Sequence, residues 1–162
     1  MIEEIKLFCD GSVNPQKKIG YGAYFVYRDT DTLETAKQNI QTKRFTDTSS
    51  TKLELEVLLW ALDDRELLDK TIVVYTDCQN ILGLESRREK LESNNYISGK
   101  GKLLNNYELY KSFYKKIDEL DCEFIKVKGH KPSQSKDDID KLFTLVDREA
   151  RDALRKFNES IK

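Results

Sequence analysis

The sequence has few of the residues that mark several classes of protein. Its 162 residues include two prolines, seven glycines and three cysteines, and they contain no apolar run of the ~18 residues that a membrane-spanning helix needs. Because proline and glycine are scarce, no segment has the composition of a flexible linker. We therefore predict a single domain over residues 1–162, with no membrane partner.

Cysteine usage indicates a reducing compartment. Cys9, Cys78 and Cys122 are too few and too unevenly spaced for a disulfide framework or a zinc site. Burial as small apolar side chains is the simplest interpretation of all three. The acidic and then alternating start of the chain also lacks the pattern of a signal peptide. These features predict a cytoplasmic protein, and we expect it to be a monomer.

Charge is abundant but nearly balanced. Charged residues make up 35% of the chain and hydrophobic residues 38%, while the net charge is −1. This composition predicts a compact domain with a highly charged surface. The near-zero net charge argues weakly against nucleic-acid binding, so any phosphate-binding surface has to be local. Candidate basic patches lie at residues 87–90, 100–102, 115–116 and 126–131.

Hydrophobic periodicity predicts an α/β domain. Apolar residues alternate in the first segments, whereas residues 71–77 are nearly all apolar, as in a buried parallel strand. Short connections between the first three strands favour an antiparallel meander. We predict strands at 5–10, 23–28, 33–45, 71–77 and 122–127 and helices at 49–68, 79–91, 107–120 and 139–161. These elements would form a mixed five-stranded sheet with helices on its faces.

Two of the predicted strands end in an aspartate. Asp10 closes the first strand and Asp77 closes the fourth. A carboxylate at the end of an apolar strand is costly unless it is solvated or paired, and the carboxyl ends of strands are where α/β sheets usually bind ligands. Either residue alone is explained equally well as the cap of a turn or helix, Asp77 especially. Two such residues on neighbouring strands favour a functional site.

Two further acids lie on apolar faces of predicted helices. Glu54 has Val57, Leu58 and Ala61 at helical spacing, so it faces the sheet, whereas Glu56 lies on a more polar stripe. A capping box with Thr51 is the alternative explanation for Glu54.

Asp147 likewise interrupts an apolar stripe that includes Phe143 and Ala150. A salt bridge with Arg151 is the alternative explanation for this residue.

Convergence of four acids would require cations. A pair of like charges ~4 Å apart costs on the order of 4 kcal/mol at an effective dielectric constant of about 20. Ligand sets made only of oxygen favour Mg²⁺ or Mn²⁺ over zinc, and paired metal ions are a common design for phosphodiester cleavage. His130 is the only histidine and follows the fifth strand, which makes it a candidate for proton transfer.

Six short segments resemble type 1 ribonuclease H in the same order along nearly the whole chain. They are Cys9-Asp10-Gly11-Ser12, Asn14-Pro15 with Gly20-Tyr21-Gly22-Ala23, Leu53-Glu54-Leu55, Tyr75-Thr76-Asp77-Cys78-Gln79, Val127-Lys128-Gly129-His130 and Val146-Asp147-Arg148-Glu149-Ala150-Arg151. The resemblance implies a ribonuclease H-like fold with strand order 3-2-1-4-5 and helices on both faces. It implies an endoribonuclease that hydrolyses the RNA strand of RNA–DNA hybrids, leaving a 5′-phosphate and a 3′-hydroxyl.

The resemblance also implies roles for individual residues. Asp10, Glu54, Asp77 and Asp147 would bind two Mg²⁺ ions, with Mn²⁺ as a substitute, and His130 would assist proton transfer or product release. The substrate-binding positions implied are Gly11, Ser12 and Asn14 at RNA 2′-hydroxyls, Gln79 near the minor groove, Thr51 where some members carry asparagine, and Arg87, Arg88 and Lys90 in the place of a basic protrusion that grips the DNA strand.

Two other functions compete with this interpretation. Exonucleases of the same fold usually carry Asp-x-Glu on the first strand, but this chain has Asp10-Gly11-Ser12. A hybrid-binding module without activity would be expected to have lost one of the four acids, and all four are present.

Overall fold

The computed structural model describes residues 2–128 and 137–161. Its five strands form one mixed sheet in the order β3-β2-β1-β4-β5, which confirms the predicted order. β1 pairs antiparallel with β2 and parallel with β4, β2 pairs antiparallel with β3, and β4 pairs parallel with β5. The strands are β1 Glu4–Asn14, β2 Ile19–Tyr27, β3 Gln41–Thr46, β4 Thr71–Thr76 and β5 Asp121–Lys126. The helices are α1 Leu33–Asn39, α2 Ser50–Leu62, α3 Gln79–Leu82, α4 Leu84–Ser93, α5 Tyr107–Glu119 and α6 Asp138–Ser160.

Helices cover both faces of the sheet, because successive side chains of each strand alternate between the two faces. Ile5 and Leu7 of β1 lie in the cluster formed with α2 and α5, whereas Phe8 lies in the cluster formed with α1 and α6. On the second face the Phe8 ring stacks between Phe25 and Tyr75, with ring centroids 5.0 and 4.8 Å apart. Within the described residues, no helix combines the length and the apolar character needed to cross a membrane.

The predicted third strand is wrong over its first half. Residues 33–39 form α1, and only Gln41–Thr46 is a strand, β3, at the sheet edge. A capping box begins this helix, because the side chains of Thr32 and Thr35 each accept a hydrogen bond from the other's backbone N–H. One residue, Ala36, anchors α1 against the sheet. A helix this short offers too few apolar positions for its periodicity to be recognised in the sequence.

The beginning of α2 also differs from the prediction. Ser49 caps the helix by accepting a hydrogen bond from the backbone N–H of Lys52. Thr51 therefore lies inside the helix, exposed, and the alternative explanation for Glu54, a capping box with Thr51, is wrong. The carboxylate of Glu54 is consequently not used in capping, which removes the structural explanation that the sequence allowed for it.

The predicted helix at 79–91 is broken into two at Gly83. This residue ends α3 and precedes the first residue of α4. The guanidinium of Arg87 bridges the break by donating to the backbone oxygens of Gly83 and Asn80 and to Oδ1 of Asn80 at 2.7 Å. The segment between α4 and α5 is a loop, as predicted, with one bridge between Ile97 and Leu103.

Candidate active site

The parallel pairing of β1 with β4 brings two aspartates side by side. The parallel ladder pairs Phe8 with Tyr75, and each strand reaches its aspartate two residues later. Asp10 is only 5% exposed, and Asp77 directly follows the last residue of β4. The parallel register therefore determines this juxtaposition. The prediction that Asp10 closes the first strand is wrong, because β1 continues to Asn14 in its pairing with β2; what ends at Phe8 is the pairing of β1 with β4.

α2 supplies the third carboxylate. Glu54 is half-buried between the buried Leu53 and Leu55, and one carboxylate oxygen each from Glu54, Asp10 and Asp77 lie within 4.8 Å of one another. Glu56, two residues further along the helix, instead accepts a hydrogen bond of 2.6 Å from the hydroxyl of Thr48. The geometry thus separates the two glutamates in the way that helical spacing predicted.

The three acids disturb one another's ionisation. Burial and, to a smaller extent, the negative charges of Glu54 and Asp77 together raise the pKa of Asp10 to about 9, although the backbone N–H of Gly11 opposes the rise. Burial and the charge of Asp77 together raise the pKa of Glu54 to about 8. At neutral pH the protein by itself therefore favours the protonated forms of both carboxyl groups.

The chemistry of these groups fits a divalent cation. Three carboxylates at this separation form a hard, all-oxygen donor set of the kind that Mg²⁺ and Mn²⁺ prefer. A cation among them would favour the ionised forms and reverse the rise in the pKa values of Asp10 and Glu54. The cluster therefore offers oxygen donors at a suitable separation, and a bound cation would relieve the repulsion among its negative charges.

Asp147 lies at the margin of this cluster. It belongs to α6, its side chain is 26% exposed, and its Oδ1 forms a salt bridge with Nε of Arg151 at 3.0 Å. Its negative charge also contributes to the raised pKa of Asp10, so it lies close enough to act on that member of the cluster. The salt bridge with Arg151 and proximity to the cluster, which the sequence presented as alternatives, therefore occur together.

Residues predicted to bind substrate surround the three acids. Gly11, Ser12 and Asn14 follow Asp10 along β1 and are half-buried. The side chain of Asn14 donates to Oδ1 of Asn158 at 2.9 Å, a partner that sequence reasoning missed because 144 residues separate the two. Thr51 and Gln79 are exposed in the first turns of α2 and α3. His130 lies outside the described residues.

The three basic residues of α4 have different surroundings. Arg87 and Lys90 line an open groove of about 590 Å³, together with Leu91, Ile97 and Leu104. Arg88 points instead toward α5, where it makes two hydrogen bonds of 2.7 Å to Asp118. The sequence treated the three as one patch, but the helical turn directs Arg88 to a different side.

A family model and solved structures of other proteins match the chain. The model of the RNase H family matches residues 3–153. Among solved structures, the RNase H domain of PFV, a foamy virus, is 14% identical with a TM-score of 0.69, over 93% of this chain and 92% of that one. LC9-RNase H1, described as a type 1 RNase H with the type 2 active-site motif, is 14% identical with a TM-score of 0.70, over 94% and 72%.

A third solved structure is larger than this chain. The foamy viral protease-reverse transcriptase in complex with RNA/DNA hybrid is 14% identical with a TM-score of 0.60, and the match covers 88% of this chain and 19% of that one. At these identities the likeness shows the shared fold. No curated protein matches the sequence.

Proposed function

The chain belongs to the RNase H family, and from this premise we propose that it is an endonuclease that hydrolyses the RNA strand of RNA–DNA hybrids. Membership of the family makes it a nuclease. The observation that carries the finer proposal is the convergence of Asp10, Glu54 and Asp77 just beyond the end of the parallel pairing of β1 with β4. We propose products with a 5′-phosphate and a 3′-hydroxyl.

Four carboxylates would hold the metal ions. We propose that Asp10, Glu54, Asp77 and Asp147 bind two Mg²⁺ ions, for which Mn²⁺ can substitute. When bound, such ions act as Lewis acids that activate water and stabilise the oxygen that leaves. The protein's own contribution is to hold the acids in place, Asp10 on a strand between two others and Asp147 by its salt bridge with Arg151.

The residues beyond Asp10 on β1 are proposed to recognise RNA. The backbone and polar side chains of Gly11, Ser12 and Asn14 would contact 2′-hydroxyl groups, which distinguish RNA from DNA. The hydrogen bond that Asn14 donates to Oδ1 of Asn158 holds the side chain of Asn14 in place and supports this role. A related solved structure contains an RNA/DNA hybrid, which supports the same class of substrate.

Exposed residues at the beginnings of α2 and α3 are proposed to contact the hybrid as well. Gln79, on the turn that follows Asp77, would approach the minor groove, and Thr51 would face the RNA strand from α2. Arg87 and Lys90 would contact phosphates of the DNA strand along their groove. For the Arg87→Ala, Lys90→Ala double variant we expect KM to rise and its dependence on salt to weaken, as measured in a salt series.

One assay tests the reaction itself. The protein is incubated with labelled RNA–DNA hybrid, duplex RNA and duplex DNA, each with Mg²⁺, Mn²⁺ or a chelator. We expect cleavage of the RNA strand of the hybrid alone, and only with metal present. Cleavage of duplex DNA, or cleavage that persists in chelator, would show that the proposed function is wrong.

A matched pair of variants tests the site. Glu54→Gln should lower kcat by about a thousandfold, since removal of one group that stabilises the transition state costs about 10²–10³ in rate and this one also holds metal. Glu56→Gln on the same helix should keep turnover, because Glu56 bonds to Thr48 rather than to the cluster. Similar losses in both variants would indicate damage to α2 instead of to a metal site.

His130 keeps the role that the family resemblance implies, proton transfer or product release. For His130→Ala we expect reduced but measurable turnover, because the carboxylates remain. A complete loss of turnover would give this residue a larger part than proposed.

A further inference from the structure

Three glycines lie on the sheet beneath the beginning of α2. Gly11 of β1 pairs with Gly22 of β2, and Gly20 lies two residues before Gly22 on the same strand. Their positions alternate with Asp10 and Ala23, so they face α2. The sequence shows these glycines but gives no reason for them, because none of the three has the positive φ that favours glycine.

The reason is the close approach of α2. A Cβ atom added to Gly22 would lie 2.3 Å from Cγ2 and 3.0 Å from Cγ1 of Val57. A Cβ atom added to Gly20 would lie 2.7 Å from Cδ2 of Leu53, and one on Gly11 would lie 3.0 Å from the same atom. Real Cβ atoms essentially never have neighbours closer than 3.0 Å, so α2 lies deeper than alanine in these strands would permit.

The helix residues above the glycines flank the third acid of the site. Leu53 immediately precedes Glu54, and Val57 follows it by three residues, about one helical turn. Both apolar side chains are about 1% exposed, so they have little free space to move aside. Val57 is also stiff at χ1 because it is branched at Cβ. A displacement of α2 would therefore carry the carboxylate of Glu54 with it.

We propose that Gly22, together with Gly20 and Gly11, is a positioning residue that sets the depth of α2 and hence the distance from Glu54 to Asp10 and Asp77. The proposal rests on the function proposed above, because what it positions is the set of metal-binding carboxylates. Mg²⁺ requires near-ideal geometry at about 2.0–2.1 Å from each ligand, so a helix held too far away would weaken binding. A misplacement of ~1 Å can also cost about a hundredfold in rate.

The test combines a glycine substitution with a compensating one. Gly22→Ala should raise the dissociation constant for Mn²⁺, measured by calorimetry, by about tenfold and lower kcat for the hybrid by about a hundredfold. KM should change by less than about threefold, because Thr51 is the one proposed substrate contact that lies on α2. In Gly22→Ala, Val57→Ala the second change removes the two nearest of the three atoms that the new Cβ would meet and leaves only Cβ of residue 57, at 3.1 Å. The double variant should return to within about threefold of the wild-type Mn²⁺ affinity.

Two single variants serve as controls. Val57→Ala should lower Tm, because it removes buried methyl groups, yet leave Mn²⁺ affinity close to wild type. Gly99→Ala should change neither quantity, since a Cβ at Gly99 would have no neighbour within 4 Å.

The possible outcomes distinguish a glycine that sets the position of Glu54 from one that is needed only for packing against α2. A Gly22→Ala protein with a lower Tm but wild-type Mn²⁺ affinity and kcat would overturn the proposal, as would a double variant that fails to recover affinity. If Gly22→Ala does not fold, Gly20→Ala gives the same comparison with a smaller effect, because it meets the flexible end of Leu53. A wild-type protein that binds Mn²⁺ without cleaving hybrid would refute the proposed function alone. A wild-type protein that binds no Mn²⁺ would refute both.

Discussion

Charged side chains are arranged in opposite ways at the acid cluster and at the contact between α4 and α5. In that contact Arg88 bonds to Asp118 and Glu92, and its guanidinium lies 5.0 Å from the ring of Tyr114. These hydrogen bonds raise the pKa of Arg88, and the bond from Arg88 lowers the pKa of Asp118. Each partner thus favours the charged form of the other.

The acid cluster shows the reverse. Burial and neighbouring acids raise the pKa values of Asp10 and Glu54, so each carboxyl group disfavours ionisation of the others. Ion pairs on a surface such as the α4–α5 contact help to hold a fold together, if only slightly. A buried group of like charges does not stabilise the fold by itself. Strong perturbation of this kind in a cleft therefore indicates function.

The largest expected effect is that of Asp10→Asn. Removal of one buried charge should lower kcat by about a thousandfold or more, since the site loses a ligand. The metal-free variant should keep its fold and be more stable than wild type at pH 8, because the raised pKa of Asp10 makes its burial unfavourable at that pH, whereas asparagine does not ionise. Activity assays and thermal unfolding in chelator measure both quantities.

Asp118→Asn, in the α4–α5 contact, is the matched control for this variant. It should keep turnover and gain no stability, because Asp118 is paired with Arg88. Full activity of Asp10→Asn would mean that the site lies elsewhere.

A smaller effect concerns pH. In the metal-free protein the pKa values of Asp10 and Glu54 are raised to about 9 and about 8, whereas in the unfolded chain they lie near 4. Their favourable contribution to stability is therefore complete below about pH 4 and is lost as pH rises toward 8 to 9. Each group changes the free energy of unfolding by at most about 1.4 kcal/mol per pH unit.

Unfolding by denaturant at several pH values between 5 and 9 measures how the free energy of unfolding changes with pH. Saturating Mg²⁺ should flatten this dependence, and Asp10→Asn should reduce it. A metal-free protein whose stability rises with pH over this range would contradict the raised pKa values.

The smallest expected effect is that of Arg88→Ala. Exposed ion pairs contribute little, so Tm should fall by about 3 °C or less, with Mg²⁺ affinity unchanged. Lys90→Ala is the matched control, since Lys90 lies along the groove rather than in the contact. Arg88→Ala also tests the sequence-based prediction that Arg88 binds the DNA strand. A rise in KM larger than that of Arg87→Ala would favour that role over the structural one.

Sequence reasoning anticipated the fold and the acid cluster for a common reason. Strand alternation, the apolar run of β4 and the helical stripe around Glu54 are all local patterns that report which side of an element is buried. The predictions failed where the local signal was short or ambiguous. α1 has seven residues and one buried position, and Ser49 and Thr51 are equally plausible helix caps until the backbone is known.

The sequence by itself indicated which residues are candidates to bind a cation: four acids that its patterns place at strand ends or on apolar helix faces. Only the tertiary structure decided their distances. The parallel register joins Asp10 to Asp77, and the glycines of β1 and β2 admit α2 deeply enough for Glu54 to reach them. The physical reason is that periodicity records the direction of a side chain, whereas separation depends on contacts between segments distant along the chain.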